Sequence, residues 1–364
     1  MKARETQRER NVNSDTRENA TADFWNSIKN MGSSGHATSR SKAPVFVVGC
    51  PRSGTTLLYH MLLSAGNFAV YRAESQVFNM LEPRFGDLSN PRHKRALLTT
   101  WYNSPLFEKT GLRREDIDGP IMEQCRNGGD FLRIYMEAIA RQQHVERWAD
   151  CTPEHLLYLK RVKKTIPDAL IIHVVRDGRD VSLSLEKQHW IRPFRWHREK
   201  GLAVAALYWE WIVRRGQAEG AQLGGDYLEV KYENLVQDPV TTLRPISEFV
   251  AQPLDYDEIQ KIGIGSVSRP NTSFASDLQE KDFQPVARWK SGMSAEQRGV
   301  VDVLLGKTLK ELGYPIESET VPPAVRKSLQ RMRTLYQSYF SVKFILKSRT
   351  VLGRALVSRD LSWT

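Results

Sequence analysis

The chain of 364 residues is poor in cysteine and has no long apolar run. Its 3 cysteines are widely spaced and odd in number, which argues against a disulfide framework and favours a reducing compartment. They form no CxxC pair that would indicate zinc. The longest apolar runs, such as 169–175, are strand-sized, far short of the roughly 20 residues that span a bilayer. With no signal-peptide pattern at the N-terminus, the sequence predicts a cytoplasmic globular protein without a metal.

Acidic residues are also under-represented, since 42 Asp and Glu stand against 53 Lys and Arg and give a formal net charge of +11. Such an excess favours anionic partners. Residues 324–364 carry nine basic residues and only one acidic residue, Asp360, with aromatic residues between them. This stretch is typical of a basic amphipathic helix on a membrane surface, or of a strap packed on the domain with a solvated basic face. A peripheral membrane contact therefore stays open.

Three segments differ in composition. Residues 1–42 are polar and predict a flexible N-terminal arm, 43–320 carry the apolar patterns of one domain, and 321–364 predict a basic helical extension. Within the domain, buried-strand patterns alternate with amphipathic helical patterns. This order predicts an α/β fold with a central, mainly parallel sheet flanked by helices.

The stretch 45–62, VFVVGCPRSGTTLLYHML, predicts a strand, a glycine-spaced turn and a helix. The second glycine lets the backbone approach an anion, and the amides at the helix N-terminus favour negative charge. A nucleotide triphosphatase has Lys after that glycine, whereas Thr stands here and the positive charge comes earlier. A ligand with a short 5′ anion chain and no γ-phosphate fits this pattern. The residues predicted to bind it are Arg52, Ser53, Gly54, Thr55 and Thr56.

A second strand–turn–helix unit, HVVRDGRDVSLS, covers 173–184. Arg176 ends the strand, Gly178 makes the turn and Ser184 lies two turns into the helix. A strand-end Arg and this Ser can hold one phosphate together, with the guanidinium giving paired hydrogen bonds. Taken alone, the motif could equally be a salt-bridged turn. Beside the first loop it predicts a ligand with phosphates at two ends.

Together the two motifs resemble the sulfotransferases that use 3′-phosphoadenosine 5′-phosphosulfate (PAPS), chiefly the bacterial and tyrosylprotein-type branch. The first is similar to their 5′-phosphosulfate loop and the second to their 3′-phosphate site. The resemblance extends over roughly 44–315. It implies a three-layer P-loop-like fold, PAPS as the sulfuryl donor and no metal.

Two later segments extend the resemblance. KYENL followed by DP is similar to a strand whose Tyr contacts the adenine region, which implies that role for Tyr232. VARWKSGMSAEQ is similar to a basic segment near the nucleotide, which implies a contact from Lys290, with Arg288 beside it. The N-terminal arm and the basic extension lie outside the shared part.

The resemblance also implies the chemistry. Arg52 stabilises the leaving 5′-phosphate, and Glu74, at the position of the family's Glu in AVYRAESQVF, is the general base. His155 is a rival base, although its register differs by two residues from the His of cytosolic members. Cys151 departs from the pattern because it stands where the family has Lys. A neutral thiol cannot supply that charge, so either another basic residue, Arg52 or Lys290, replaces it or the activity is reduced.

The acceptor does not follow from the sequence, and glycans, lipids, phenols and peptides all stay open. We expect the acceptor pocket at 85–125 and at 188–201, where three Arg residues alternate with Trp190, Phe194 and Trp196. Two other functions are possible: a small-molecule kinase on the same loop, and a non-catalytic basic protein that binds anions. We expect no nucleic-acid partner, and no oligomeric state follows.

Overall fold

The computed structural model describes residues 40–262, 285–317 and 321–350, together with Gly353 and Val357. Five parallel strands form one sheet in the order β2-β3-β1-β4-β5. They are β1 (Val45–Gly49), β2 (Phe68–Ala69), β3 (Arg147–Asp150), β4 (Leu170–Val175) and β5 (Tyr227–Lys231). The predicted α/β fold with a parallel sheet is confirmed.

Helices account for most of the remaining chain. The α-helices are α1 (Thr55–Ser64), α2 (Glu82–Phe85), α3 (Pro91–Tyr102), α4 (Pro105–Glu108), α5 (Asp118–Gln124), α6 (Gly128–Gln142), α7 (Leu159–Thr165), α8 (Gly178–Lys187), α9 (Gly201–Gly220), α10 (Tyr232–Gln237), α11 (Pro239–Val250), α12 (Tyr256–Ile262), α13 (Trp289–Gly292), α14 (Ala295–Glu311) and α15 (Pro323–Arg349). A π-helix spans Val77–Leu81, and short 3₁₀ helices span Arg114–Asp116, Pro153–Tyr158, Arg195–Lys200 and Gly224–Asp226.

Both faces of the sheet are covered, because β1 is buried along its whole length. Val45 and Val47 pack into one apolar cluster with α1 and α11, whereas Phe46 and Val48 pack into the other with α6 and α9. This alternation follows the two-residue period of a strand. The two clusters make the three layers: helices, sheet, helices.

The position of β1 also determines where a ligand can bind. Its neighbours are β3 on one side and β4 on the other. The chain leaves β1 through α1 and returns to the sheet on the β3 side, while β4 and β5 lie on the opposite side. Such a reversal opens a crevice at the carboxyl ends of the strands, where α/β proteins bind ligands. Both predicted phosphate motifs begin at these ends, after β1 and after β4.

Helix α15, within the basic extension, packs on the domain with one face. Five of its apolar side chains are buried against α9, α14 and the 188–200 segment: Leu329, Met332, Tyr336, Phe340 and Phe344. Trp211 Nε1 of α9 donates to Ser341 Oγ at 3.0 Å, and Arg333 forms an ion pair with the buried Glu210. The inner face of α15 is therefore packed on the domain, as in the strap arrangement. The N-terminal arm lies outside the described residues except for its last three, so its prediction stays open.

Candidate functional site

The loop between β1 and α1 has a backbone that requires glycine. Gly54 has φ = 92°, and a Cβ there would come within 2.1 Å of Tyr232 Cδ2. At Gly49 a Cβ would meet the carbonyl oxygen of Val174 at 2.6 Å. Arg52 also has a positive φ of 77°, which is uncommon for a residue with a side chain. The fold therefore holds this loop in one strained shape at the start of α1, as a close approach of backbone to an anion requires.

Arg52 joins the loop to the second predicted motif. Its Nε donates to Ser184 Oγ at 3.0 Å, and Arg176 Nη1 donates to the carbonyl oxygen of Arg52 at 3.1 Å. The structure thus brings Arg52, Arg176 and Ser184 into one site, although the first lies more than a hundred residues from the others. The distance between the two motifs along the chain does not itself predict this contact. It follows from the fold, which brings the two motifs together.

Three guanidinium groups converge at this point. The pKa of Arg52 lies below its ordinary value, first because of burial and then because of the positive charges of Arg176 and Arg288. The Asp180 carboxylate lies beside these arginines, with an oxygen 3.6 Å from Arg176 Nη2. Burial raises the pKa of Asp180, and the positive charge of Arg176 acts in the opposite direction. Mutual repulsion among like charges is reduced when a multiply charged anion binds between them.

Several buried polar atoms lack a hydrogen-bond partner within the described part of the chain, and two of the donors among them lie at this site. They are Ser53 Oγ, on a side chain that is completely buried, and Arg176 Nε. Buried donors in folded proteins are normally paired. Both lie in the predicted phosphate motifs, so phosphate oxygens would supply the missing acceptors. On this observation the donor set fits an anionic nucleotide.

Tyr232 and the segment at the start of α13 close the site from the β5 side. The Arg176 guanidinium lies 4.5 Å from the centre of the Tyr232 ring, and Arg176 Nη2 donates to the Pro285 carbonyl at 2.7 Å. Tyr232 thus supports both the loop glycine and Arg176. A contact between Tyr232 and adenine stays a prediction.

Lys290, predicted to contact the nucleotide, forms an exposed ion pair. Its Nζ lies 3.6 Å from Glu317, and its side chain is 59% exposed. Arg288, two residues earlier, is the base of this segment whose charge affects Arg52. The contact between Lys290 and the nucleotide stays a prediction. Arg288 is the better candidate for that contact, because its charge acts on Arg52.

Glu74 lies near the other end of the loop. Its charge raises the pKa of Cys151, whose thiol hydrogen-bonds with the Thr55 and Thr56 side chains at the start of α1. The pKa of Glu74 is raised to about 7, first by loss of hydration and then by the negative charges of Glu154 and Asp150. The side chain is open to solvent on one side, but protein surrounds the carboxylate closely on the others. A carboxylate with this pKa can accept a proton near neutral pH.

A chain of hydrogen bonds leads from Glu74 into the protein. Gln76 Nε2 donates to Glu74 Oε2 at 2.5 Å, and Asn79 Nδ2 donates to Gln76 Oε1 at 2.5 Å and to Glu154 Oε2 at 3.1 Å. Tyr208 OH donates to the other Glu154 oxygen at 3.3 Å. These side chains fix the orientation of Glu74 and connect it to a second carboxylate.

The local backbone explains why sequence reasoning missed this chain. Gln76 has φ = 54°, and the residues after it form the π-helix Val77–Leu81. The π-helix holds Asn79 between Gln76 and Glu154, and no regular periodicity predicts the long-range contact with Glu154. Glu154 lies in the DCTPEH segment, where sequence reasoning considered only Cys151 and His155.

His155, the rival base, is a buried structural residue. Its Nδ1 lies 2.9 Å from Asp150 Oδ2, and its Nε2 accepts a hydrogen bond from the Phe78 amide at 3.2 Å. The side chain is 0% exposed. Both ring nitrogens are engaged, so the geometry leaves neither for an acceptor hydroxyl.

Cys151 is a neutral thiol at the centre of the site. Burial raises its pKa well above the ordinary value, and the charges of Glu74 and Asp150 raise it further. The two hydrogen bonds to Thr55 and Thr56 act in the opposite direction. Cys151 therefore contributes no positive charge, as expected, and Arg52 is the cation that the loop itself supplies.

The 188–200 segment divides between the site and α15. Trp190 is 54% exposed, with its ring centre 5.5 Å from the Arg52 guanidinium. Phe194, in contrast, stacks on Tyr336 of α15, and its amide donates to the Tyr336 hydroxyl oxygen at 2.9 Å. Only Trp190 of these aromatic residues stands at the loop. Within the described ranges, no group of three or more His, Cys, Asp and Glu side chains is arranged to hold a metal ion.

A family model described as "Sulfotransferase family" matches residues 44–256, more than half of the chain. The chain belongs to the sulfotransferase family. This membership makes it a sulfuryl-transferring enzyme and sets aside the kinase and the non-catalytic anion binder. The matched region contains both phosphate motifs and Glu74.

Solved sulfotransferase structures are similar to this chain at low identity. The sulfotransferase domain from the curacin biosynthetic pathway is 16% identical, with 75% of this chain and 98% of that chain covered and a TM-score of 0.49. The domain from the Synechococcus PCC 7002 olefin synthase is 19% identical, with coverages of 77% and 96% and a TM-score of 0.49. Retinol dehydratase, solved with androsterone and the inactive cofactor PAP, is 15% identical, with coverages of 78% and 83% and a TM-score of 0.37. No curated protein matches the chain.

Proposed function

We propose that this sulfotransferase transfers the sulfuryl group of PAPS to a hydroxyl or amine of its acceptor. The observation that carries the proposal is the convergence of Arg52, Arg176 and Arg288 at the carboxyl ends of β1 and β4. This cationic group lies beside a glycine loop and contains buried donors without partners. A nucleotide with anionic groups at its 5′ and 3′ positions would bind one group at each motif, and Arg52 connects the two motifs.

The two ends of the donor have different partners. The 5′-phosphosulfate lies on the amides of residues 53–56 and on Arg52, where the dipole of α1 favours negative charge. The 3′-phosphate lies against Arg176 and Ser184. Because Arg52 Nε already contacts Ser184 Oγ at 3.0 Å, one bound nucleotide can reach both groups.

The reaction is an in-line displacement at sulfur. An acceptor lone pair forms the new bond to sulfur as the bond between sulfur and the 5′-phosphate oxygen breaks. The electron pair of that bond stays on the phosphate of the departing 3′,5′-adenosine bisphosphate. Arg52 and the loop amides stabilise the charge that accumulates there, and Glu74 takes the acceptor proton.

The surroundings of Glu74 support its role as the base. Its pKa of about 7 leaves a large ionised fraction at neutral pH and makes the carboxylate a stronger base than an ordinary one. Gln76 holds the carboxylate by one oxygen, Oε2, and leaves Oε1 for the acceptor. The influence of both Glu74 and the loop threonines on Cys151 supports a base that acts close to the sulfuryl end of the donor.

The acceptor enters from the side of Trp190. This exposed ring stands at Arg52 and can stack on a sugar or aromatic ring. A glycan, a phenol, a ring-bearing lipid and a tyrosyl peptide all present a hydroxyl to such a surface. The proposal therefore defines the nucleophile and leaves these four classes for direct screening.

Calorimetry with 3′,5′-adenosine bisphosphate and ATP tests the donor. We expect the bisphosphate to bind and ATP to bind much more weakly, because the loop has Thr55 where a triphosphate site has Lys. Transfer from radiolabelled PAPS to glycan, lipid, phenol and peptide panels then identifies the acceptor. Equal affinity for both nucleotides would contradict the proposal.

A further inference from the structure

The outer face of α15 differs from its packed inner face. Leu335, Val342 and Ile345 are exposed on it by 42%, 54% and 46%. Their positions fall on one side of a 3.6-residue helix, away from Tyr336 and Phe340. A helix that packs its inner face and still presents three aliphatic side chains to solvent has two apolar surfaces. Single exposed apolar residues are ordinary, but a row of them along one helix indicates a contact surface.

The charge around this row has one sign. Residues 321–350 include seven basic residues and no acidic residue. Arg333 is turned inward to Glu210, whereas Lys327, Arg331 and Lys343 are exposed beside the aliphatic row. A partner for this face therefore has to be anionic and has to accept aliphatic side chains at the same time.

An exposed tryptophan lies next to the same helix. Trp196 is 67% exposed and stacks on Phe194, with 4.9 Å between ring centres. Phe194 in turn lies 4.8 Å from the Tyr339 ring of α15. Tryptophan is favoured where an apolar phase meets water, because its ring is apolar and its N–H is polar. The 188–200 segment thus connects this surface with Trp190 at the active-site loop.

We propose that the outer face of α15, with Trp196 beside it, binds the surface of an anionic lipid bilayer. The aliphatic row enters the region between headgroups and acyl chains, and the basic side chains contact anionic headgroups. Within the described ranges, no helix is both long and apolar enough to cross a membrane, so α15 lies on the surface. Nucleic acid would match the charge but would leave Leu335, Val342 and Ile345 without an apolar environment.

Vesicle flotation tests the surface with the full-length protein. We expect binding to phosphatidylcholine vesicles that contain phosphatidylglycerol and little binding to phosphatidylcholine alone. In the triple variant Lys327→Gln, Arg331→Gln and Lys343→Gln, binding should fall about a hundredfold, since each basic residue near an anionic surface contributes about fivefold. The variant Leu335→Ser, Val342→Ser and Ile345→Ser should also lose binding while keeping its charge.

A matched control removes the same charge from another face. Arg92→Gln, Arg95→Gln and Lys109→Gln alter three exposed basic residues of α3 and its surroundings and should bind vesicles like the parent. Thermal unfolding checks that every variant is folded. Equal loss in this control, or no binding of the folded parent to anionic vesicles, would overturn the proposal. The proposal would also be overturned if a DNA duplex competed fully for the same face while the serine variant kept parental vesicle binding.

Discussion

Replacing Arg176 with Ala tests the construction of the donor site. The Arg176 guanidinium lies between the carbonyl of Arg52 and the ring of Tyr232, and its buried Nε has no partner within the described part of the chain. If that side chain holds the 3′-phosphate, the substitution removes a charge-assisted hydrogen bond to a buried anion. Such a bond contributes about 1.5–3 kcal/mol. The dissociation constant of 3′,5′-adenosine bisphosphate should therefore rise by about 10- to 150-fold.

Three matched variants separate the phosphate contact from other effects. Ser184→Ala should raise the same dissociation constant by less, because it removes one hydroxyl donor to the phosphate and no positive charge. Lys290→Gln should change it by less still, because Lys290 is 59% exposed and faces Glu317. Arg176→Lys keeps the charge but loses the paired donors, so it should fall between Arg176→Ala and the parent.

The assay is isothermal calorimetry with the bisphosphate and with 5′-adenosine monophosphate. The monophosphate lacks the 3′-phosphate, so its affinity should be almost the same in Arg176→Ala and in the parent. Thermal unfolding shows whether each variant is folded, since Arg176 also holds the Pro285 carbonyl. An Arg176→Ala protein that is folded and binds the bisphosphate with parental affinity would refute this reasoning.

Three further predictions concern the base, the loop and the C-terminal helix. Loss of hydration raises the pKa of Glu74 to about 7 together with the charges of Glu154 and Asp150, so Glu154→Gln removes one part of this shift. The ionised base then becomes easier to form, and the acidic limb of the rate profile should move to lower pH. An unchanged limb in single-turnover transfer would contradict the link between the two carboxylates. Gly54→Ala should abolish bisphosphate binding in calorimetry, because the added Cβ would lie 2.1 Å from Tyr232 in a backbone with φ = 92°. Bisphosphate binding by a folded Gly54→Ala variant would contradict this prediction and show that the loop can adapt. Phe340→Ala should lower the free energy of unfolding by about 3–5 kcal/mol in urea titration, since this ring packs against Tyr208 and Trp211; a loss under 1 kcal/mol would mean that α15 adds little to the core.

Local patterns were sufficient to predict the parallel sheet and the two strand–turn–helix units at its edge. The buried strand before Gly49, the loop after it and the strand-end Arg176 each have a signature within about a dozen residues. Parallel strands bring their carboxyl ends to one edge, so two such motifs meet when their strands are neighbours, as β1 and β4 are. The contact between Arg52 and Ser184 follows from that rule.

The surroundings of Glu74 could not be predicted in the same way. The order of Gln76, Asn79 and Glu154 along the chain contains no periodicity that would indicate a hydrogen-bonded row. Their contact depends on a positive φ at Gln76 and on a π-helix after it, and neither has a reliable sequence signal. The pKa of Glu74 depends in turn on these long-range neighbours.

The basic extension shows a different limit. Its composition allows a helix on a membrane and a helix on the domain, because aromatic and basic residues suit both. Only the facing surfaces of α9 and α14 determine that Tyr336, Phe340 and Phe344 point inward. Once these three residues are assigned to the inner face, the exposed aliphatic residues of α15 define the outer face.

The most direct test of the central claim is single-turnover transfer from radiolabelled PAPS to the acceptor identified by screening, with Glu74→Gln compared with the parent. A positioned base contributes about 10²- to 10⁴-fold in rate. The rate constant should fall by that factor in Glu74→Gln while the affinity for 3′,5′-adenosine bisphosphate stays parental. A Glu74→Gln enzyme that transfers the sulfuryl group as fast as the parent would contradict the assignment of the base, and a folded parent that transfers none from PAPS to any acceptor class would contradict the proposed reaction itself.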